Sequence, residues 1–241
     1  MTQQRRPIVV VIVLALFFLA GLVTVLLGSQ SPGVSSASPQ DGSGETVLIV
    51  GVDDLAAAQP KLVAVWIATF SVENRDVLFY GQPIDAPVCG NTPTTLQELF
   101  LWQPQSGLSP AFLEAFGATG PDAVVVADET AFMALIGELH GLDLNGAKLE
   151  GDQVVAVLRT LYQNPTGLLD TQEQFLIALA RRATEAASQV DLTRLTNQIP
   201  GHAYTSVPPQ DLITLYLRLL PLGPSSILVF ASQNSAVPCP G

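Results

Sequence analysis

Positive charge is what this chain has least of. Its 241 residues carry ten lysines and arginines against 21 aspartates and glutamates. Two of the ten, Arg5 and Arg6, stand near the N-terminus, so from Gly28 onward eight basic residues face all 21 acidic ones, a balance of −13. A nucleic-acid backbone is gripped mainly by Lys and Arg, and that class of partner is excluded. The same balance counts against a domain lying flat on anionic lipid. Histidine is reduced to His140 and His202, and cysteine to Cys89 and Cys239. Neither type shows the Cys-x-x-Cys or His-rich spacing of a zinc site. A Gly-x-Ser-x-Gly elbow, a P-loop and a Gly-x-Gly-x-x-Gly turn are all missing, so the chemistries those motifs carry have no support. His140 falls at a helix end and His202 in a Gly-His-Ala-Tyr loop, where a lone histidine is structural or solvated.

Charge of either sign is absent from Ile8 to Leu27, a run of twenty residues. At about 1.5 Å per residue such a helix spans the hydrocarbon core of a bilayer. Arg5 and Arg6 precede it and no basic residue follows until Lys61. That asymmetry predicts a cytoplasmic tail (1–7), one transmembrane helix (8–27) and an extracytoplasmic remainder, hence a single-pass cell-membrane protein. A cleavable signal peptide has a shorter apolar core, about 7–15 residues, closed by a small-residue cleavage site. Here Ser35-Ser36-Ala37 lies well past the apolar run, which favours an uncleaved anchor. Residues 28–44 are rich in Ser, Gly and Pro and read as a flexible spacer. Residues 45–241 suit one domain with a sizeable core. Outside the cell Cys89 and Cys239 could form one disulfide closing a very long loop, worth on the order of 4–5 kcal/mol in the chain-entropy model. Spacing alone does not show that the two sulfurs meet.

The folded part opens with three apolar runs, Thr46 to Val50, Leu62 to Phe70 and Asp76 to Tyr80, bounded by Gly51, Pro60, the polar 71–76 turn and Gly81. They predict three consecutive strands. Helices are expected at 94–102, 111–116, 129–139 (capped by Asp128), 150–161, 170–189, 191–198 and 208–220, with 162–167 as a turn. Further strands are expected at 122–126, 142–144 and 226–230. The predicted class is α/β (α+β), a central mixed sheet with helices on both faces.

Asp53-Asp54, at the end of the first strand, is the most prominent polar feature. Carboxylates there could hold Mg²⁺, which takes oxygen ligands and recruits phosphate to complete its shell. The competing reading is local: Asp54 begins a turn and Asp53 caps the segment 55–58.

The order of these features resembles the extracytoplasmic LytR-CpsA-Psr domain, from Thr46 to about Leu220. The resemblance rests on an apolar strand ending in Gly51-Val52-Asp53, on Pro83-Ile84-Asp85 in the place of Pro-Arg-Asp, and on the strand and helix of 122–143 closing in Gly141-Leu142-Asp143. It continues through Leu149-Glu150-Gly151-Asp152-Gln153-Val154 and the Gln172-Glu173-Gln174-Phe175-Leu176 run. It implies a transfer of anionic glycopolymers from a polyprenyl-pyrophosphate carrier to peptidoglycan. Carboxylates would hold Mg²⁺, arginines would neutralise phosphate charge, and an apolar cleft would take the prenyl tail.

This chain departs from that pattern where the chemistry would sit. The second metal carboxylate falls on Val63, the Pro-Arg-Asp arginine on Ile84, the Arg-x-Arg pair on Leu158 and Thr160 (with Arg159 between), and the Gly-Arg-x-x-Arg-Gln arginines on Leu168 and Thr171. Losing one charge-stabilising donor costs about two to three orders of magnitude in rate. The first expectation is therefore a non-catalytic binding or accessory protein of the envelope, holding a polyprenyl lipid or an envelope glycopolymer. Val63, Ile84, Leu158 and Leu168 would then line an apolar cleft or fill core. The alternative is an active phosphotransferase using Asp53, Asp85, Lys61 and Arg159, with Mg²⁺ on Asp53. The residues by themselves imply no other cofactor.

Overall fold

Six strands form the central sheet, in the order β11-β8-β1-β2-β3-β12. The computed structural model describes residues 45–74, 76–88, 94–117, 120–186, 200–208, 211–212, 214–215, 218 and 226–231. The expected anchor and spacer, both cysteines and the helix expected at 191–198 lie outside those residues. Among the described residues no helix is long and apolar enough to cross a membrane.

β1 (Glu45–Val52), β2 (Leu62–Ser71) and β3 (Asp76–Gln82) run antiparallel as consecutive neighbours. β8 (Ala123–Asp128) joins β1 in parallel, and β12 (Ile227–Ala231) joins β3 in parallel. β11 (Ala203–Thr205) closes the other side, antiparallel to β8. Small pairs lie outside the sheet: β4 (Pro87–Val88) with β5 (Thr94–Thr95), β6 (Trp102–Gln103) with β7 (Gly107–Leu108), and β9 (Leu142–Leu144) with β10 (Ala147–Leu149).

Alternation along the strands sorts side chains onto two faces. Val47, Trp66, Phe70, Val77 and Val125 point to one face, where Leu169, Leu212 and Leu215 cover them. α3 (Glu129–Glu138) and α5 (Pro165–Ala186) extend that layer with Leu135, Phe175 and Leu179. Leu48, Val50, Val65 and Val126 point to the opposite face, under Ile84, Leu96, Trp102 and Phe112. Those residues come from α1 (Leu96–Leu99), α2 (Pro110–Glu114) and the loops around them. The expected mixed sheet with helices on both faces is present.

Three local expectations need correction. The helix expected over 94–102 is a single turn: the Thr95 hydroxyl caps Glu98, and the chain bends into β6 by Trp102. The turn expected over 162–167 is present at 162–163 but ends early, because α5 has begun by Pro165. Pro165 needs no N–H in the first turn of a helix, and Asn164 Oδ1 accepts the Gly167 N–H at 3.2 Å. The His202 stretch expected as loop leads directly into β11.

α5 lies close on β3 because position 81 has no side chain. A Cβ on Gly81 would come within 2.6 Å of Leu169 Cδ1 and 2.8 Å of Trp66 Cη2. Gln172, buried on α5, fixes the depth of that contact. It accepts from Trp66 Nε1 at 3.2 Å and donates to the Val63 carbonyl at 2.8 Å. α4 (Gly151–Thr160) crosses α3 just as closely: a Cβ on Gly151 would meet the Met133 carbonyl oxygen at 2.8 Å. This approach brings the C-terminal end of α4 to the first residue of α3.

Candidate functional site

Register places the polar residues at one edge. Val52 lies opposite Asp128 in the parallel β1–β8 pair, so Asp53 and Glu129 leave the sheet side by side. β2 begins and β3 ends at this same edge, with Val65 opposite Gln82. The edge therefore gathers Asp53, Lys61, Val63, Ile84, Asp85, Asp128, Glu129 and His202. Ligands commonly bind outside the carboxyl ends of parallel strands.

Asp53 works first as a loop clasp. Its Oδ1 accepts the Asp54 N–H and the Lys61 N–H, each at 2.8 Å, while its own N–H donates to the Lys61 carbonyl at 3.1 Å. Asp54 starts a turn by accepting the Ala56 N–H at 2.9 Å. The local reading of the Asp pair is thus seen in outline, with Asp53 closing the loop across to Lys61. Lys61 is exposed.

Arg159, near the end of α4, reaches Glu129. Its Nε donates to Glu129 Oε2 at 2.9 Å and to Oε1 at 3.2 Å, and its Nη2 pairs closely with Oε2. The Tyr162 hydroxyl donates closely to Oε1 of the same carboxylate. Glu129 is nearly buried, with a side chain 8% exposed, whereas that of Arg159 is 61% exposed. The bond to Glu129, then its charge, holds the Arg159 guanidinium above its ordinary range. Burial, followed by the bond to Glu129, raises the Tyr162 phenol far above the tyrosine range. The charge of Asp53 reaches both groups and acts on each of them weakly.

Asp128 is the other centre. It caps α3 by accepting the Ala131 N–H on Oδ1 at 3.0 Å. Its Oδ2 accepts the Leu55 N–H at 3.3 Å and meets His202 Nδ1 at 2.8 Å.

The remaining expected residues divide between the layers. Asp85 is exposed in the turn that the Ala86 N–H closes on the Pro83 carbonyl. That turn follows β3, which is two places from β1 in the sheet. Ile84 is 6% exposed and belongs to the core on the α1–α2 side. Leu158 packs into the α3–α5 core on the opposite side. Leu168 is fully buried at the start of α5. Val63 is half-buried, and its carbonyl is held by Gln172. The structure brings Arg159 within reach of the charge of Asp53 and separates Ile84 from Leu158. Sequence reasoning missed Glu129, Tyr162 and Asp128 as site residues and set His202 aside.

Most carboxylate oxygens at this end of the sheet are engaged within the chain. Glu129 has both oxygens engaged by Arg159 and Tyr162, and Asp53 has one engaged by two amides. Among the described residues no three His, Cys, Asp or Glu side chains gather where they could hold a metal ion.

No protein-family model matches the chain, and no curated protein matches it in sequence. Solved structures do. TagT bound to LI-WTA superposes with a TM-score of 0.57 at 18% identity, over 83% of this chain and 82% of that one. TagV from B. subtilis gives 0.60 at 18% identity, over 81% and 87%. A LytR-Csp2A-Psr enzyme from Actinomyces oris gives 0.59 at 17% identity, over 78% and 80%. At such identities the likeness is one of fold, and the fold of this chain is that of the LytR-CpsA-Psr proteins.

Proposed function

We propose that this chain is a membrane-anchored, extracytoplasmic envelope protein that binds a polyprenyl-linked glycopolymer, or its lipid carrier, without transferring it. The anchor is the apolar run of 8–27, with residues 1–7 in the cytoplasm. The ligand class follows from the fold, since the neighbour TagT was solved with LI-WTA and with LIIa-WTA.

One observation carries the non-catalytic part. Arg159, a guanidinium that the charge of Asp53 reaches, already holds a carboxylate of its own chain in a two-pronged grip. Phosphoryl transfer depends on cations free to take up developing phosphate charge. Here Glu129 occupies the place of that phosphate, and Ile84 and Leu168 fill space with hydrocarbon where arginines would be needed. A diphosphate arriving at this edge meets Asp53, Asp128 and Glu129, with Arg159 already neutralised and the exposed Lys61 as the ammonium placed there.

The test uses the full chain in nanodiscs with Mg²⁺ and a farnesyl-pyrophosphoryl disaccharide. Binding without release of farnesyl phosphate is expected. Turnover abolished by Asp53→Ala would establish the transferase instead. That second reading draws on the charge of Asp53 reaching Arg159, which a small rotation of Glu129 would expose.

A further inference from the structure

We propose that His202, oriented by buried Asp128, is a ligand contact whose Nε2 accepts a hydroxyl of the carbohydrate portion of the bound molecule. This rests on the reading that the edge binds a glycosylated lipid or glycopolymer, and it names the group that recognises the sugar.

The argument begins with hydrogen atoms. Oδ1 of Asp128 accepts from the Ala131 N–H, and Oδ2 from the Leu55 N–H. Both oxygens therefore face donors. With Asp128 ionised, the 2.8 Å contact with His202 is donated by Nδ1–H. In the neutral imidazole this leaves Nε2 as a lone-pair acceptor, and ring geometry aims it away from Asp128. The ring cannot easily turn. The Asp128 N–H also donates to the His202 carbonyl at 3.0 Å, so backbone and side chain of residue 202 are held by the same partner.

Burial shows that the arrangement is built in. The Asp128 side chain is 1% exposed, whereas the His202 side chain keeps 34% exposure. A carboxylate that deep is costly unless its bonds are met, and one of them is spent on a half-exposed imidazole. Position adds the rest. His202 precedes Ala203, which lies opposite Ala127, so its backbone enters the sheet at the same end at which Asp128 closes β8. Leu55, whose amide completes the Asp128 set, belongs to the loop that Asp53 closes.

Carbohydrate hydroxyls need acceptors as well as donors. On this half of the edge the carboxylates are already committed: Asp53 Oδ1 to two amides, Asp128 to three donors and Glu129 to Arg159 and Tyr162. Nε2 of this part-exposed imidazole is an acceptor that these contacts leave uncommitted. Asp128 is its positioning residue.

The experiment uses the full chain in nanodiscs and two probes, farnesyl pyrophosphate and farnesyl pyrophosphate carrying a disaccharide. His202→Ala should weaken the sugar-bearing probe about ten-fold and leave the bare one unchanged. His202→Gln, whose amide oxygen can accept, should restore most of the loss. Imidazole ¹⁵N shifts should show hydrogen on Nδ1 in the wild type and a mixture of tautomers in Asp128→Asn. Equal losses on both probes, no loss on either, or hydrogen on Nε2 in the wild type would each overturn the assignment. Wild-type protein that binds neither probe would instead sink the binding reading itself, and this assignment with it.

Discussion

The two halves of the sheet's site edge have opposite chemistry. On the β8–β1 half Asp53, Asp128 and Glu129 stand at adjacent strand ends, and Asp53 Oδ1 and both oxygens of Asp128 and of Glu129 are bonded within the chain. On the β2–β3 half Ile84 and Leu168 are buried hydrocarbon, and a buried Gln82 carries an amide oxygen with no hydrogen-bond partner among the described residues. A diphosphate site would need mobile cations on at least one half. The first half has spent its guanidinium on Glu129, and the second has none among Val63, Ile84 and Leu168. The proposed non-catalytic reading thus rests on two separate features, hydrocarbon at 84 and 168 and an internal partner for Arg159.

The largest expected effect comes from putting charge back where it was deleted. Ile84→Arg forces a guanidinium into the core beneath α1 and should cost about 3–5 kcal/mol, seen as a lower urea midpoint. If that variant were as stable as the wild type and gained phosphate affinity, the β2–β3 half would be an open cleft. Arg159→Ala should cost less, about 1–2 kcal/mol. It leaves Glu129 with Tyr162 alone, but the exposed guanidinium is already partly screened by water. Asp53→Ala removes two amide bonds from the β1–β2 loop and should cost about 1 kcal/mol. Its affinity for Mg²⁺, followed by calorimetry, should match the wild type.

The smallest effect is read by pH. The folded Tyr162 phenol is held above its unfolded range, so the folded chain keeps a proton that the unfolded chain sheds above about pH 10. Stability from this group is complete below that point and falls as pH rises further. In an alkaline absorbance titration Tyr162 should ionise last, after Tyr204, which burial also raises, and Tyr162→Phe should remove the last step.

Much of the scaffold was legible in the chain. The first three strands announced themselves through β-branched runs cut by Gly and Pro, and Asp128 declared the start of α3. β11 did not, because three residues carry no period to detect. α5 was started late because Pro165 reads equally as turn or as first helical residue, and Asn164 decides between them in three dimensions. The site was harder. Glu129 meets Arg159 and Tyr162 across 30 and 33 positions, and only the close crossing at Gly151 brings α4 onto α3. Asp128 was read as a cap, and Oδ1 does that work, but nothing in the linear order shows that Oδ2 faces a histidine 74 positions away. Gly151, Gln153 and Gln172 stood out by resemblance and prove structural: a close approach, an acceptor for the Glu150 N–H at 2.9 Å, and a bridge from α5 to β2.

The central claim is that Glu129 holds the place a phosphate would take on Arg159. Calorimetric titration of magnesium pyrophosphate into wild type and Glu129→Gln tests it most directly. Little or no heat in the wild type, with clear binding in Glu129→Gln that vanishes when Arg159→Ala is added, is the expected result. Tight binding by the wild type that depends on Arg159 would contradict the account.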